Sequence, residues 1–297
     1  MTMLRIGSRD NSAALWQAAH IQSTLQALGL SSEIIPISTT GDTRTAPLAD
    51  SVEGKGLYTG ELETALLNES IDLAVYSMNE LPVRSPEALS LTALSERENP
   101  SDWLLIRKEV AVQKLFRLPA DARVAASTAR RKAQILHFRP DLKVLDALED
   151  VNWQLAQLRD AQFDGAILEA AALIRLQLDL SDFEIIRFNP REFVPAPGQG
   201  VIAIQTRRDD LDTRRALKPL HHPEVARCTN VERSALRLFN DASHLPIGIY
   251  CERDTVGHYH VWAARAESVG SALKQVQYSQ STTDGLPERI FELLNLA

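Results

Sequence analysis

The sequence predicts an α/β protein of more than one domain. In the first half, short apolar runs alternate with amphipathic helical stretches. Polar or Pro/Gly-rich segments interrupt the alternation twice, and 297 residues suffice for two or three domains of roughly 100–150 residues each. Such alternation favours largely parallel sheets, with ligands at the carboxyl ends of the strands.

Residues 4–8 (LRIGS) read as a short buried strand. Residues 12–30 (SAALWQAAHIQSTLQALGL) follow as an amphipathic helix with Ser12 near its cap and Leu15 and Trp16 on its core stripe. EIIPIS, 33–38, is a second strand, which Pro36 places at an edge or a bend. GELETALLN, 60–68, is helical, and IDLAVYS, 71–77, is a buried strand ending in the polar loop MNELP. A comparable series follows: strand RVAAS, helix TARRKAQILHF, strand LKVLD, helix VNWQLAQLRDA, strand FDGAILEA, then AALIRL. The polar stretch SERENPSDW, 95–103, separates the two series. FVPAPGQGV, 193–201, has two prolines and two glycines, as a crossover or hinge requires. Beyond it PEVARCTNVERSALRLF, 223–239, reads as a long helix, IGIYC and HYHVWAA as strands, and LPERIFELLNLA as a final helix. That end is a small α+β domain.

The net charge of −7, from 32 basic and 39 acidic residues, argues against a nucleic-acid partner, so any anion site is a local pocket. No apolar run approaches the ~18 residues of a membrane span, and the first residues hold no apolar signal core. The expectation is a cytoplasmic monomer with neither membrane nor nucleic-acid partner. Cys228 and Cys251 fit no CxxC pattern and read as reduced core residues. His221–His222 and His258/His260 lack acidic or thiol ligands at useful spacing; helix entry and strand alternation explain them better than a metal does.

VAASTARRKAQI, 124–135, runs from a strand through small and hydroxyl residues into Arg130–Arg131 at a helix start. Free backbone N–H groups, the positive end of the helix dipole and two guanidiniums together predict an anion site.

The stretches RIGSRDNSAALWQA, GDTRTAPL, EGKGLYTGELETALL, DLAVYSMNELP, ASTARRKAQI, PAPGQGVIAI and VERSALRLFNDASHLPIG resemble, in order, the hydroxymethylbilane synthase (porphobilinogen deaminase) family. The resemblance implies three α/β domains, two of them periplasmic-binding-protein-like around a cleft: 1–96 with 197–218, 97–196, and a small α+β unit at 219–297. It also implies head-to-tail joining of four porphobilinogen units with loss of ammonia, primed on a dipyrromethane cofactor held through a cysteine thioether. Lys55, Ser127, Arg130 and Arg131 then belong to cofactor binding, and Arg9, Asp42, Thr128 and Arg175 to substrate binding. Such a site needs guanidiniums for the pyrrole carboxylates and a carboxylate near the cationic azafulvene left by ammonia.

The sequence departs from the family at its reactive positions. Ser243 stands at the cysteine position, and a hydroxyl is a poor nucleophile without a base; the adjacent His244 points away on an extended chain. Cys251, eight residues on, is expected in the core. Glu80 takes the catalytic aspartate's place and Asn79 that of a lysine; the added methylene moves the carboxylate by about 1 Å, enough to cost on the order of a hundredfold in rate. Leu148 and Gln154 replace two arginines, while Glu149 and Asp150 add negative charge. Three readings follow: a relative that binds porphobilinogen or oligopyrrole carboxylates, without covalent dipyrromethane and with catalysis impaired or lost; an active deaminase with an altered anchor; or a non-catalytic regulatory subunit.

Overall fold

A computed structural model describes residues 3–43, 57–148, 150–239 and 245–296. The first unit begins with strand β1 (Leu4–Arg9), helix α1 (Ser12–Ala27), β2 (Ser32–Ile37), α2 (Gly60–Leu67), β3 (Leu73–Ser77) and β4 (Leu89–Arg97). The chain then crosses into β5 (Asp102–Arg107), β6 (Arg123–Ala126), α3 (Ala129–Phe138), β7 (Lys143–Asp146), α4 (Val151–Arg159), β8 (Gly165–Glu169), α5 (Ala170–Arg175) and β9 (Phe183–Arg187). It returns as β10 (Val201–Arg207) and α6 (Leu211–Leu217). The third unit holds α7 (Pro223–Leu238), β11 (Ile247–Arg253), β12 (Tyr259–Arg265), β13 (Lys274–Gln280) and α8 (Leu286–Asn295).

The two large sheets share one plan, β2-β1-β3-β10-β4 and β7-β6-β8-β5-β9. Each has four strands in one direction and one reversed: β10 runs antiparallel to β3 and β4, and β5 to β8 and β9. The reversed strands are the ones next to the crossings, whose ends helix-and-strand alternation does not mark. The sheets are therefore mixed, less parallel than the sequence implied. Apolar clusters cover both faces of each, which is why β3, β5 and β8 are apolar runs without alternation. Pro36 lies on the edge strand β2, as its missing N–H demands. The third sheet, β11-β12-β13, is antiparallel and packs one face on α7 and α8.

Local chemistry sets the helix starts. Asn11, one residue before Ser12, caps α1 by accepting from the Ala14 N–H at 2.9 Å. The stripe of α1 that goes inside is Ala14, Ala18, Ile21 and Leu25; Leu15 and Trp16 are only half-buried, and Trp16 faces the second unit. His222 caps α7 through Nδ1, and the His221 ring accepts from the Leu94 N–H.

Two buried carboxylates fasten the crossings. Asp102, wholly buried, accepts from Arg130 at 2.7 Å, from Arg131 at 2.8 Å and from Gln199 at 3.1 Å. Glu232 on α7, equally buried, accepts from Arg97 at 2.6 Å, the Gly198 N–H at 2.7 Å and the Cys251 N–H at 2.8 Å. Gly198 and Gly200 have positive φ (81° and 84°), and a Cβ on Gly200 would lie 2.5 Å from the Glu98 carbonyl. The return crossing is thus threaded too tightly for side chains at these turns. Removing one partner of a buried ion pair leaves the other uncompensated, so Asp102→Ala should lower unfolding free energy by about 3–5 kcal/mol. Chemical denaturation checks this, with Asp212→Ala, at an exposed pair with Arg215, expected to leave the midpoint unmoved.

Candidate functional site

The carboxyl ends of β1, β3, β6 and β8 bring Arg9, the loop 78–82, Ser127–Thr128 and Glu169 to the facing edges of the two large units. Direct contacts span the gap: Asn79 Nδ2 donates to Glu169 Oε2 at 3.4 Å, Asn152 Nδ2 donates to Ser12 Oγ at 2.8 Å, and the Arg175 guanidinium lies 5.8 Å from the Trp16 ring centre.

On the first unit, Arg9 is the centre of the arrangement. Its Nη2 reaches Asp42 at 2.7 Å, its Nη1 reaches Glu80 at 2.8 Å, and its guanidinium stacks 4.0 Å from the Tyr58 ring centre. Burial opposes the charge on Arg9, but Glu80 and Asp42 outweigh it and hold its pKa above the usual value. Asp42 also accepts from Thr39 and Asn11; these bonds and Arg9 overcome burial and keep its carboxyl below the usual range. The loop bearing Glu80 is fastened from behind. Arg233 on α7 donates to the carbonyls of Met78, Leu81 and Pro82 at 3.2, 3.0 and 2.7 Å, and burial brings its pKa down to about 10.

On the second unit, Thr128 caps α3 by accepting from the Arg131 N–H, and Ser127 Oγ accepts from Arg131 Nη1 at 3.1 Å. Arg130 and Arg131 point inward: Arg130 donates to Asp102, the Val194 carbonyl and Gln199, and Arg131 donates to Asp102. The negative group beside this arginine pair is therefore part of the protein. Burial opposes the Asp102 charge, and the two guanidiniums overcome it and lower its pKa. Arg175 donates to the Gly200 carbonyl at 2.7 Å. Gln154 is buried, donates to the Leu148 carbonyl at 2.7 Å, and leaves its Oε1 without a partner among the described residues. Lys55, Glu149, Ser243 and His244 lie outside the described residues.

Cys251 is buried between β11 and α7. The Cys228 thiol and burial both push its own thiol up, which makes it a poor nucleophile. Sequence reasoning missed Asp102, Glu169, Glu232 and Arg233. Asp102 lay inside the polar stretch read as a boundary. Glu169 did leave a signal, a charged residue closing the apolar run GAIL at a strand's carboxyl end.

Two α/β units with a small α+β unit behind them gather guanidiniums and carboxylates at their facing edges. Residues 4–215 match the family described as porphobilinogen deaminase, dipyromethane cofactor binding domain. The porphobilinogen deaminase of Chloroherpeton thalassium is 39% identical over 86% of this chain and 81% of its own. That of Chromobacterium violaceum is 37% identical over 84% and 80%, and the chloroplastic enzyme of Euglena gracilis 39% over 84% and 53%. A solved Salmonella typhimurium periplasmic binding protein of high arginine specificity superposes with a TM-score of 0.45 at 14% identity, covering 77% of this chain and 98% of its own. The chain belongs to the porphobilinogen deaminase family, transferases of tetrapyrrole biosynthesis. Among the described residues no helix is long and apolar enough to cross a membrane.

Burial raises the Glu169 carboxyl above its usual range, more than Arg131 and Arg175 lower it. A carboxyl whose folded pKa exceeds its unfolded value costs stability when ionised, and that cost vanishes where both states are protonated. Glu169→Gln should therefore raise Tm at pH 7 and leave it nearly unchanged at pH 4, read by differential scanning calorimetry at both.

Proposed function

We propose that this chain is a divergent family member that binds porphobilinogen and short oligopyrroles by their carboxylates between the two lobes. On this reading it carries no covalent primer, and its polymerising activity is impaired or lost. It acts as a monomer in the cytoplasm, with the boundaries near 97, 197 and 219 separating its three units.

The observation that carries the reading is the ion pair of Glu80 with Arg9 at 2.8 Å. Loss of ammonia from a porphobilinogen unit leaves a cationic azafulvene, which the carboxylate at this position stabilises as charge develops. Here that carboxylate is a methylene longer than aspartate and is already shared with a guanidinium that also holds Asp42. Asn79 replaces a positive neighbour and binds the second lobe, while Leu148 and Gln154 supply no charge for a growing acidic chain. Each lost charge-assisted bond is worth roughly 1.5–3 kcal/mol, so longer, more anionic products should be disfavoured most.

The residues present fit the carboxylates of a dipyrromethane, with hydroxyls at Ser127 and Thr128 and a guanidinium at Arg175. Gln154, whose Oε1 has no partner among the described residues, adds no positive charge for them. When bound, such a group would supply a nucleophilic pyrrole carbon. Ser243 in the anchoring position offers a hydroxyl of much lower nucleophilicity than a thiolate.

Titration calorimetry with porphobilinogen should give saturable binding, and a coupled assay should detect little or no bilane. Ser243→Cys alone should not restore full turnover, because Glu80, Leu148 and Gln154 remain. Normal turnover by the parent, or by that single variant, would overturn the reading, as would the absence of any binding.

A further inference from the structure

Among the described residues, two charges of opposite sign between the lobes, the buried Arg175 and the half-buried Glu169, make no contact ion pair. Among the described residues, Asp42, Glu80 and Asp102 each touch a guanidinium, whereas the Glu169 carboxylate has only the Asn79 amide at 3.4 Å. Among the described residues Arg175 has no carboxylate in contact; its guanidinium donates to the Gly200 carbonyl and faces the Trp16 ring. Each residue feels the other electrostatically, yet they do not meet. They sit at opposite ends of α5, six residues apart, which separates their backbones by about 9 Å at the usual helical rise.

This placement is unusual for charges that merely stabilise a fold. Burying an ion without its partner is costly, and side chains this long normally close on each other when they can. Burial pushes the Glu169 carboxyl up and the Arg175 guanidinium down, so each would gain from an opposite charge brought into contact. Both face the first lobe, Glu169 toward Asn79 and Arg175 toward Trp16. The buried Oδ1 of Asn79 beside Glu169 has no partner among the described residues, and an amide oxygen accepts from an ammonium.

We infer that Glu169 and Arg175 form a dipolar subsite selecting a zwitterionic pyrrole, with a ligand carboxylate on Arg175 and its aminomethyl ammonium on Glu169 and Asn79. This rests on the reading that the cleft binds porphobilinogen, and it adds the group that distinguishes the amine-bearing monomer from its amine-free counterparts. Glu169 is a specificity residue here, and no bond is made or broken by it. A compound with carboxylates alone satisfies Arg175 and leaves Glu169 unpaired. A zwitterion whose charges are only one carbon apart is too short to reach both ends of α5.

The test compares porphobilinogen with the same pyrrole diacid lacking the aminomethyl group, by titration calorimetry on the full chain and its Glu169→Gln and Glu169→Asp variants. The parent should bind porphobilinogen at least about tenfold more tightly than the amine-free diacid, a gap of about 1.4 kcal/mol. Glu169→Gln should abolish that preference by weakening porphobilinogen alone, and Glu169→Asp should keep part of it. Calorimetric unfolding of each variant establishes that the protein titrated is folded. A preference unchanged in Glu169→Gln, or equal loss of both ligands, overturns the subsite while leaving pyrrole binding intact. If neither compound binds the parent, the underlying reading falls and the subsite with it.

Discussion

The buried carboxylate of Asp102 decides what the space between the lobes can be. Two adjacent guanidiniums at the start of α3, both nearly inaccessible, would be untenable without a negative partner, and Asp102 supplies it inside the fold. Because Asp102 opens β5 directly after the first crossing, and Gln199 of the return crossing donates to it, the same charge also ties both crossings together. Glu232 does the equivalent work against the third unit by gathering Arg97, Gly198 and Cys251. The lobes are thus joined by satisfied buried charges, and geometry at their facing edges follows from that rigidity.

A consequence is that much of the positive charge expected of an acid-binding cleft is already balanced. Arg9 is balanced by Asp42 and Glu80, and the Arg130–Arg131 pair by Asp102. Among the described residues, Arg175 and Glu169 differ from these in making no contact ion pair. The third unit takes part from behind, since Arg233 holds the loop of Glu80 by three carbonyls.

Much of the fold was legible because most central strands are bounded apolar runs and α1, α3, α4 and α7 each have a capping residue at their start. The alternation placed β1, β3, β6 and β8 and the helices α1 and α3 that follow the first and third of these, and Pro36 marked the edge strand. The reversed strands β5 and β10 escaped notice because strand direction depends on long-range pairing, which periodicity does not encode. The arginine pair was legible as a place for an anion, since Ser-Thr-Ala-Arg-Arg after a buried strand is what such a place requires. That Asp102, 28 residues earlier in the chain, fills it could not be read, because the contact is made only once β5 and α3 pack together. The aromatic shelf under Arg9 and the facing of Asn79 and Glu169 are tertiary for the same reason. Their local sequences carry no period or motif that brings them together.

The central claim is a cleft that holds pyrrole acids without a tether, and intact-protein mass spectrometry on the purified chain tests it most directly. The expected result is the mass of the bare polypeptide, unchanged after incubation with porphobilinogen and removal of free ligand. A species heavier by one dipyrromethane, growing by further pyrrole steps on incubation, would contradict it.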